Sequence, residues 1–225
     1  MILAASDAGH AGFDEALAEL CATYWYPLYA YARRLGYSPD AACDCTQGYF
    51  AKLLEKRYLQ DAQEERGRFR SFLLVSFRNY LSNERAHERA VKRGGGAPLL
   101  PIDMETAEGR YALEPREDLT PERLFERRWA ITLLDGALAD VQRECESSRR
   151  GRFFGVAKVY LTGESGAQAY RDAADRLGIS AGAFKVAVHC LRRRFRDAVR
   201  RRIAATVRQP EQIEEELRFL FRAIA

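Results

Sequence analysis

Much of the chemistry that enzymes rely on is missing from this chain of 225 residues. Only three histidines are present, His10, His87 and His189, and none falls in a nucleophile–histidine–carboxylate set. The five cysteines (Cys21, Cys43, Cys45, Cys145 and Cys190) are odd in number and scattered, which argues against a disulfide framework and for free thiols in a reducing compartment. Cys43-x-Cys45 lacks the spacing and the second ligand pair of a zinc site, so two helical cysteines packed against neighbours are expected. Arg93-Gly94-Gly95-Gly96 is not followed by Lys-Ser or Lys-Thr and is no phosphate loop. No apolar run has the length of a membrane span, and Met1 to Gly12 lacks the basic start and apolar core of a signal peptide. A cytoplasmic protein that is not an enzyme, with no cofactor, no metal and no membrane partner, is the expectation.

What is present is helical. Apolar residues make up 47% and charged residues 30%, both globular values. No alternation of strand type is evident. From Phe13 to Leu35, Leu17, Leu20, Tyr24, Leu28, Tyr31 and Leu35 mark one amphipathic helix, which Pro27 should bend or restart. Ser38-Pro39-Asp40 and Thr120-Pro121-Glu122 each supply a cap, a proline for the first turn and an acid near the positive dipole end. From Phe69 to Arg89, an apolar and aromatic face interleaves with Arg70, Arg78, Asn79, Asn83 and Arg85. Rings beside Arg and Asn suit unpaired bases, although most of these rings read as core, and one helix can carry both. Residues Ala97 to Leu119 are rich in Pro, Gly and acids and read as an extended linker. The expected fold is all-α, with two small helical domains joined by a flexible linker. A first domain spans 12–93, the linker 94–119, a second domain 120–206, and an acidic amphipathic helix 207–225, packing on the basic lobe.

The second domain carries the most informative stretch. Ala173, Ala174 and Leu177 share one helix face, Gly178 can turn the chain, Ile179 can plug the corner and Ser180 is a ready N-cap. Phe184, Val188, Leu191, Phe195 and Val199 then form a buried stripe, with Lys185, His189, Arg192, Arg193, Arg196 and Arg200 pointing elsewhere. Helix, glycine turn and basic helix are the layout of a helix-turn-helix DNA reader. The net charge of +4 is modest, but from Lys185 to Arg202 the only acid is Asp197. A local basic patch governs phosphate contacts more than the whole-chain sum.

Taken in order, these segments resemble a bacterial RNA polymerase sigma factor of the sigma-70 family, extracytoplasmic-function (ECF) group, over about Phe13 to Ala205. Ser38 to Leu54 looks like the segment that docks on the β′ clamp helices, with Asp44, Gln47 and Phe50 matching the acid, glutamine and aromatic of the family pattern. Phe69 to Arg85 looks like the promoter-melting helix, with Phe72-Leu73 as the aromatic–leucine pair and Asn79 as the recurrent asparagine. Leu177 to Arg196 resembles the reader of the −35 element, its Leu-Gly-x-Ser-x-Gly-x-x-Lys core intact. The glycine-rich end of the first domain and the tail from Pro210 are similar to a subgroup abundant in planctomycetes. Cys43, Cys45, Gly48 and Cys190 depart from the family pattern, which bears on affinity and promoter identity.

The resemblance implies a specificity subunit for transcription initiation, partnered by core RNA polymerase (β′ clamp helices and β flap) and by promoter DNA, duplex and melted. Asp44, Gln47, Phe50 and Leu53 would bind the polymerase. Arg68, Arg70, Phe72, Asn79, Asn83 and Arg85 would serve the melted −10 element, with Glu64 to Phe69 as the base-selecting loop. Lys185, Val186 and His189 would meet base edges of the −35 element, and Arg192, Arg193 and Arg196 its phosphates. Control would come from an anti-sigma factor or, in cis, from the tail beyond Pro210. Two rivals stand beside this reading. A stand-alone helix-turn-helix regulator would bind duplex DNA by itself, and a helical adaptor would offer its basic face to an acidic protein without any DNA.

Overall fold

The computed structural model describes residues 13–54, 69–90, 104–114, 119–161, 166–207 and 209–225. These residues are all-helical, with no strand among them. The helices are α1 (Phe13–Arg34), α2 (Pro39–Leu54), α3 (Phe69–Ala90), α4 (Met104–Ala112), α5 (Pro121–Ser147), α6 (Gly151–Ala157), α7 (Ala167–Leu177), α8 (Ala181–Ala204) and α9 (Gln212–Ile224), with a 3₁₀ turn at Lys158–Tyr160. None of them is long and apolar enough to cross a membrane. Two compact units emerge, one of residues 1–131 and 205–225, the other of residues 132–204.

In the first unit, Leu20, Tyr24, Leu28 and Tyr31 of α1 are buried with Tyr49, Phe50 and Leu53 of α2 and Leu73, Phe77 and Leu81 of α3. The aromatic rings interlock edge to face: Tyr24 meets Phe69 at 5.6 Å between centroids, and Tyr49 meets Phe77 at 5.1 Å. This geometry adds to simple area burial. Of the bend or restart expected at Pro27, the restart does not occur: α1 runs through it as one helix. An internal proline costs roughly 3 kcal/mol, which the fully buried neighbours Tyr24, Leu28, Tyr29 and Ala30 offset. The caps fall where the sequence puts them. Ser38 Oγ accepts from the Ala41 N–H at 3.2 Å, and Thr120 Oγ1 accepts from the Arg123 N–H at 3.3 Å.

Two segments of this unit differ from expectation. The span 94–119, expected as an extended linker, contains α4. Its Glu108 accepts from Tyr29 Oη at 2.6 Å and from Arg33 Nη2 at 2.7 Å, both on α1. The following turn places Glu114 between Tyr26 Oη at 3.0 Å and the Arg128 guanidinium. Proline and glycine content marked the segment as loop, but acids matched to Tyr and Arg on α1 fix a helix there; residues 94–103 and 115–118 lie outside the described ones. The tail was expected on the basic lobe, yet α9 belongs to the first unit, where Leu220 and Glu216 are buried. Its Phe219 ring lies 6.1 Å from that of Trp129. The expected boundary at residue 120 also shifts: the second unit begins at Thr132, within α5.

The second unit packs Leu133, Ala137, Val141 and Cys145 of α5, Phe154 of α6, Ala173 and Ala174 of α7, and Phe184, Val188, Leu191, Ala198, Val199 and Ile203 of α8. Phe184 anchors it, with Tyr160 at 5.3 Å and Tyr170 at 5.6 Å. Near the end of α8, Arg202 donates to Asp140 of α5 at 2.6 and 2.9 Å. Gly136 makes room for that guanidinium, since a Cβ there would lie 2.6 Å from Arg202 Nη1.

Candidate nucleic-acid interface

The second unit sets two helices around a three-residue turn, Gly178 to Ser180. Gly178 adopts φ 68°, ψ 33°, a left-handed conformation that glycine takes without a Cβ clash. The N–H of Ile179 bonds the Ala174 carbonyl at 3.1 Å, closing the end of α7 in the Schellman manner. Ser180 Oγ accepts from the Ala183 N–H at 3.2 Å and starts α8. Ile179 is more open than a corner plug would be and borders an apolar groove instead.

From this start, α8 separates its two faces. Phe184, Val188 and Leu191 turn inward, while Lys185, His189, Arg193, Arg196 and Arg200, spaced by four, four, three and four, are all exposed. Val186 is 64% exposed beside them, an apolar contact surface unusual on a basic helix. Arg192 differs from its neighbours. Its Nε donates to the Tyr160 carbonyl at 2.9 Å, so the side chain is tied to the 3₁₀ turn rather than held out with the others. Phe195 is only half-buried, and Ala198 takes the inner place beside Val199.

Between α7 and the start of α8 lies an open cleft of about 610 Å³ lined by Tyr170, Arg171, Gly182, Lys185 and Arg192. Three cations and a helix N-terminus converge there, an arrangement that favours an anionic group. Arg171 is a residue that the sequence reading missed; the signal was a base on the outer face of α7, seven residues before the turn. On another side of the unit, Phe153, Leu177, Ile179, Ala187 and Leu191 line an apolar groove of about 460 Å³, bordered by Arg150 and Arg194.

No protein-family model, curated protein or solved structure matches the chain.

The first unit holds the remaining expected residues, and it separates them. On α2, Asp44 is exposed and Gln47 half-buried, with the Gln47 amide 3.4 Å from Cys43 Sγ. Phe50 and Leu53, expected at the polymerase surface, are each 1% exposed and belong to the core. Their spacing with Tyr49 and Cys45 suits either side of the helix, and the aromatic rings of α1 and α3 claim them. Cys43 and Cys45 are buried, as helical packing residues should be. Burial, with Asp44 and Asp40 adding to it, pushes the Cys43 thiol up and keeps it protonated.

On α3, Asn79 and Asn83 are exposed on one face with Val75, and Phe72 is half-buried. Arg85 lies in the same helix, and Arg68 and residues 64–67 lie outside the described ones. Arg70 lies elsewhere than expected. It heads the buried stripe Arg70, Leu73, Phe77, Leu81 and is 5% exposed, so it does not stand on the face of Asn79 and Asn83. Its Nε donates to Glu216 Oε2 at 2.8 Å and its Nη2 to Glu216 Oε1 at 3.3 Å. Glu216 was absent from the sequence reading, and no local signal could have found a partner 146 residues away.

Proposed function

We propose that this chain is a promoter-specificity subunit of bacterial RNA polymerase, acting in transcription initiation from the cytoplasm. The observation that carries the reading is α8: a capped helix after a left-handed glycine turn, with Lys185, Val186 and His189 exposed near its start and Arg193 and Arg196 along the same side. Lys185, Val186 and His189 meet base edges in the major groove of a duplex element, and Arg193, Arg196 and Arg171 meet its phosphates. The apolar groove beside Leu177 and Leu191 is the seat for the β flap. In the first unit, Asp44 and Gln47 face the β′ clamp, and Asn79, Asn83 and Phe72 receive unpaired bases, whose lost stacking of a few kcal/mol per base needs compensation.

The test is co-purification with bacterial core RNA polymerase. Binding that Asp44→Ala/Gln47→Ala removes supports the reading. Tight duplex binding without any association with core replaces it with a stand-alone regulator.

A further inference from the structure

Arg70 and Glu216 form a desolvated pair whose two members stand 146 residues apart in the sequence. The geometry is the bidentate fork of guanidinium and carboxylate, at 2.8 and 3.3 Å. A third donor, Nη1, reaches Glu126 at 3.6 Å. Phe219 of α9 lies under the guanidinium, 3.4 Å from its ring centroid, and Trp129 stands 5.3 Å away. Glu216 is 2% exposed and Leu220 is fully buried, so α9 turns an inner face to the core, and from it Glu216 and Phe219 reach Arg70 in the first turn of α3.

A buried ion pair is a poor way to gain stability alone, because apolar groups of the same size usually do as well or better. What it does supply is conditionality. With α9 seated, every nitrogen of the Arg70 guanidinium faces a carboxylate and the side chain is a core member. With α9 displaced, Nε and Nη2 would lose both of their acceptors and the Phe219 ring, keeping only the 3.6 Å contact of Nη1 with Glu126, and the cation would have to turn those donors outward to water or to another anion. The seated helix and an Arg70 open to an external anion are therefore mutually exclusive states. By linkage, a ligand that takes one state must oppose the other by the same free energy.

We propose that α9 is an intramolecular competitor for Arg70, which single-stranded nucleic acid must displace to bring a phosphate to the first turn of α3. The inference rests on the reading of α3 as the helix that receives melted DNA. The Glu216 carboxylate stands in for the phosphate, and the Phe219 ring stacks on the guanidinium as a base would.

The test uses the full chain and a mixed-sequence single-stranded DNA 20-mer. Glu216→Gln keeps the shape and removes the charge; it should bind the 20-mer about tenfold more tightly than the parent. Arg70→Gln/Glu216→Gln should lose that gain. Reciprocity gives a second readout on the unaltered chain: adding the 20-mer should speed amide deuterium uptake across 212–224. Unchanged affinity in Glu216→Gln, or a gain that survives loss of Arg70, overturns the competitor and leaves a purely structural pair. Core polymerase binding is scored separately. A chain that binds core without the 20-mer gain sinks this inference alone, and a chain with the gain that ignores core sinks the promoter-subunit reading alone.

Discussion

Gly48 follows Asp44 by one helical turn on α2, and a Cβ built there would lie 2.5 Å from Tyr80 Oη of α3. Its place in a helix interior, at a cost of up to about 1 kcal/mol against alanine, thus has a packing reason that the sequence did not disclose. The obstacle is the hydroxyl alone, because the next nearest atom, Tyr80 Cζ, is at an ordinary 3.6 Å. Gly48→Ala should therefore fail to stabilise the chain and should lower its unfolding free energy by about 1 kcal/mol, within the usual cost of overpacking. Gly48→Ala/Tyr80→Phe should return it to the parent value or above, as read from urea midpoints. At Lys185 the question is recognition rather than packing. An exposed cation one residue after Phe184 can reach a base edge or a phosphate. Lys185→Ala should cost about 1–3 kcal/mol of duplex affinity and change preference at one base position. Competition with a panel of single-substituted duplexes checks this, and an equal loss on every duplex assigns Lys185 to a phosphate.

Single elements are held by acids whose protonation can be followed. Donation from the Arg33 guanidinium holds the Glu108 carboxyl below the usual carboxylate range and fastens α4 to α1. Donation from Arg202 does the same for Asp140, joining α5 to α8 within the second unit. A carboxyl lowered in the folded state stabilises fully above its unfolded value, near pH 4, and that contribution is lost as pH falls through the lowered folded value. Thermal midpoints should thus fall more steeply below about pH 4 in the parent than in Asp140→Asn, whose curve starts lower and is flatter. The turn before α8 is held differently, by backbone shape. Gly178→Ala forces a Cβ into φ 68° and should cost the second unit about 1–2 kcal/mol. The loss should appear in its unfolding midpoint, with the exposed cations of α8 left chemically intact.

Across the whole molecule, what the sequence disclosed was local and what it hid was distant. Ser38, Thr120 and Ser180 could be read as caps because the cap bond reaches only three residues ahead. Gly178 could be read because a backbone with φ above zero selects its residue directly. The inner stripe of α8 followed from periodicity except at Phe195, which is half-buried. Hidden were the sides on which Phe50 and Leu53 fall, the helix within the acid-rich span at Glu108, and the seat of α9 on Arg70, since each depends on a partner far along the chain. The same distant pairing sorts the basic residues, which composition alone counts as equals. Arg201 and Arg202 meet Glu144 and Asp140, whereas Lys185, His189, Arg193 and Arg196 project from α8 into solvent. Salt dependence of duplex binding should follow the second group rather than the net charge of +4. Each phosphate neutralised contributes about −0.9 to the slope of log K against log salt, so Arg193→Ala/Arg196→Ala should flatten it by roughly 2. Arg202→Gln, assayed below its own unfolding temperature, should leave the slope where it was. A slope that answers equally to both would mean that the α8 surface acts as a diffuse basic patch, with no defined phosphate contacts along its exposed side.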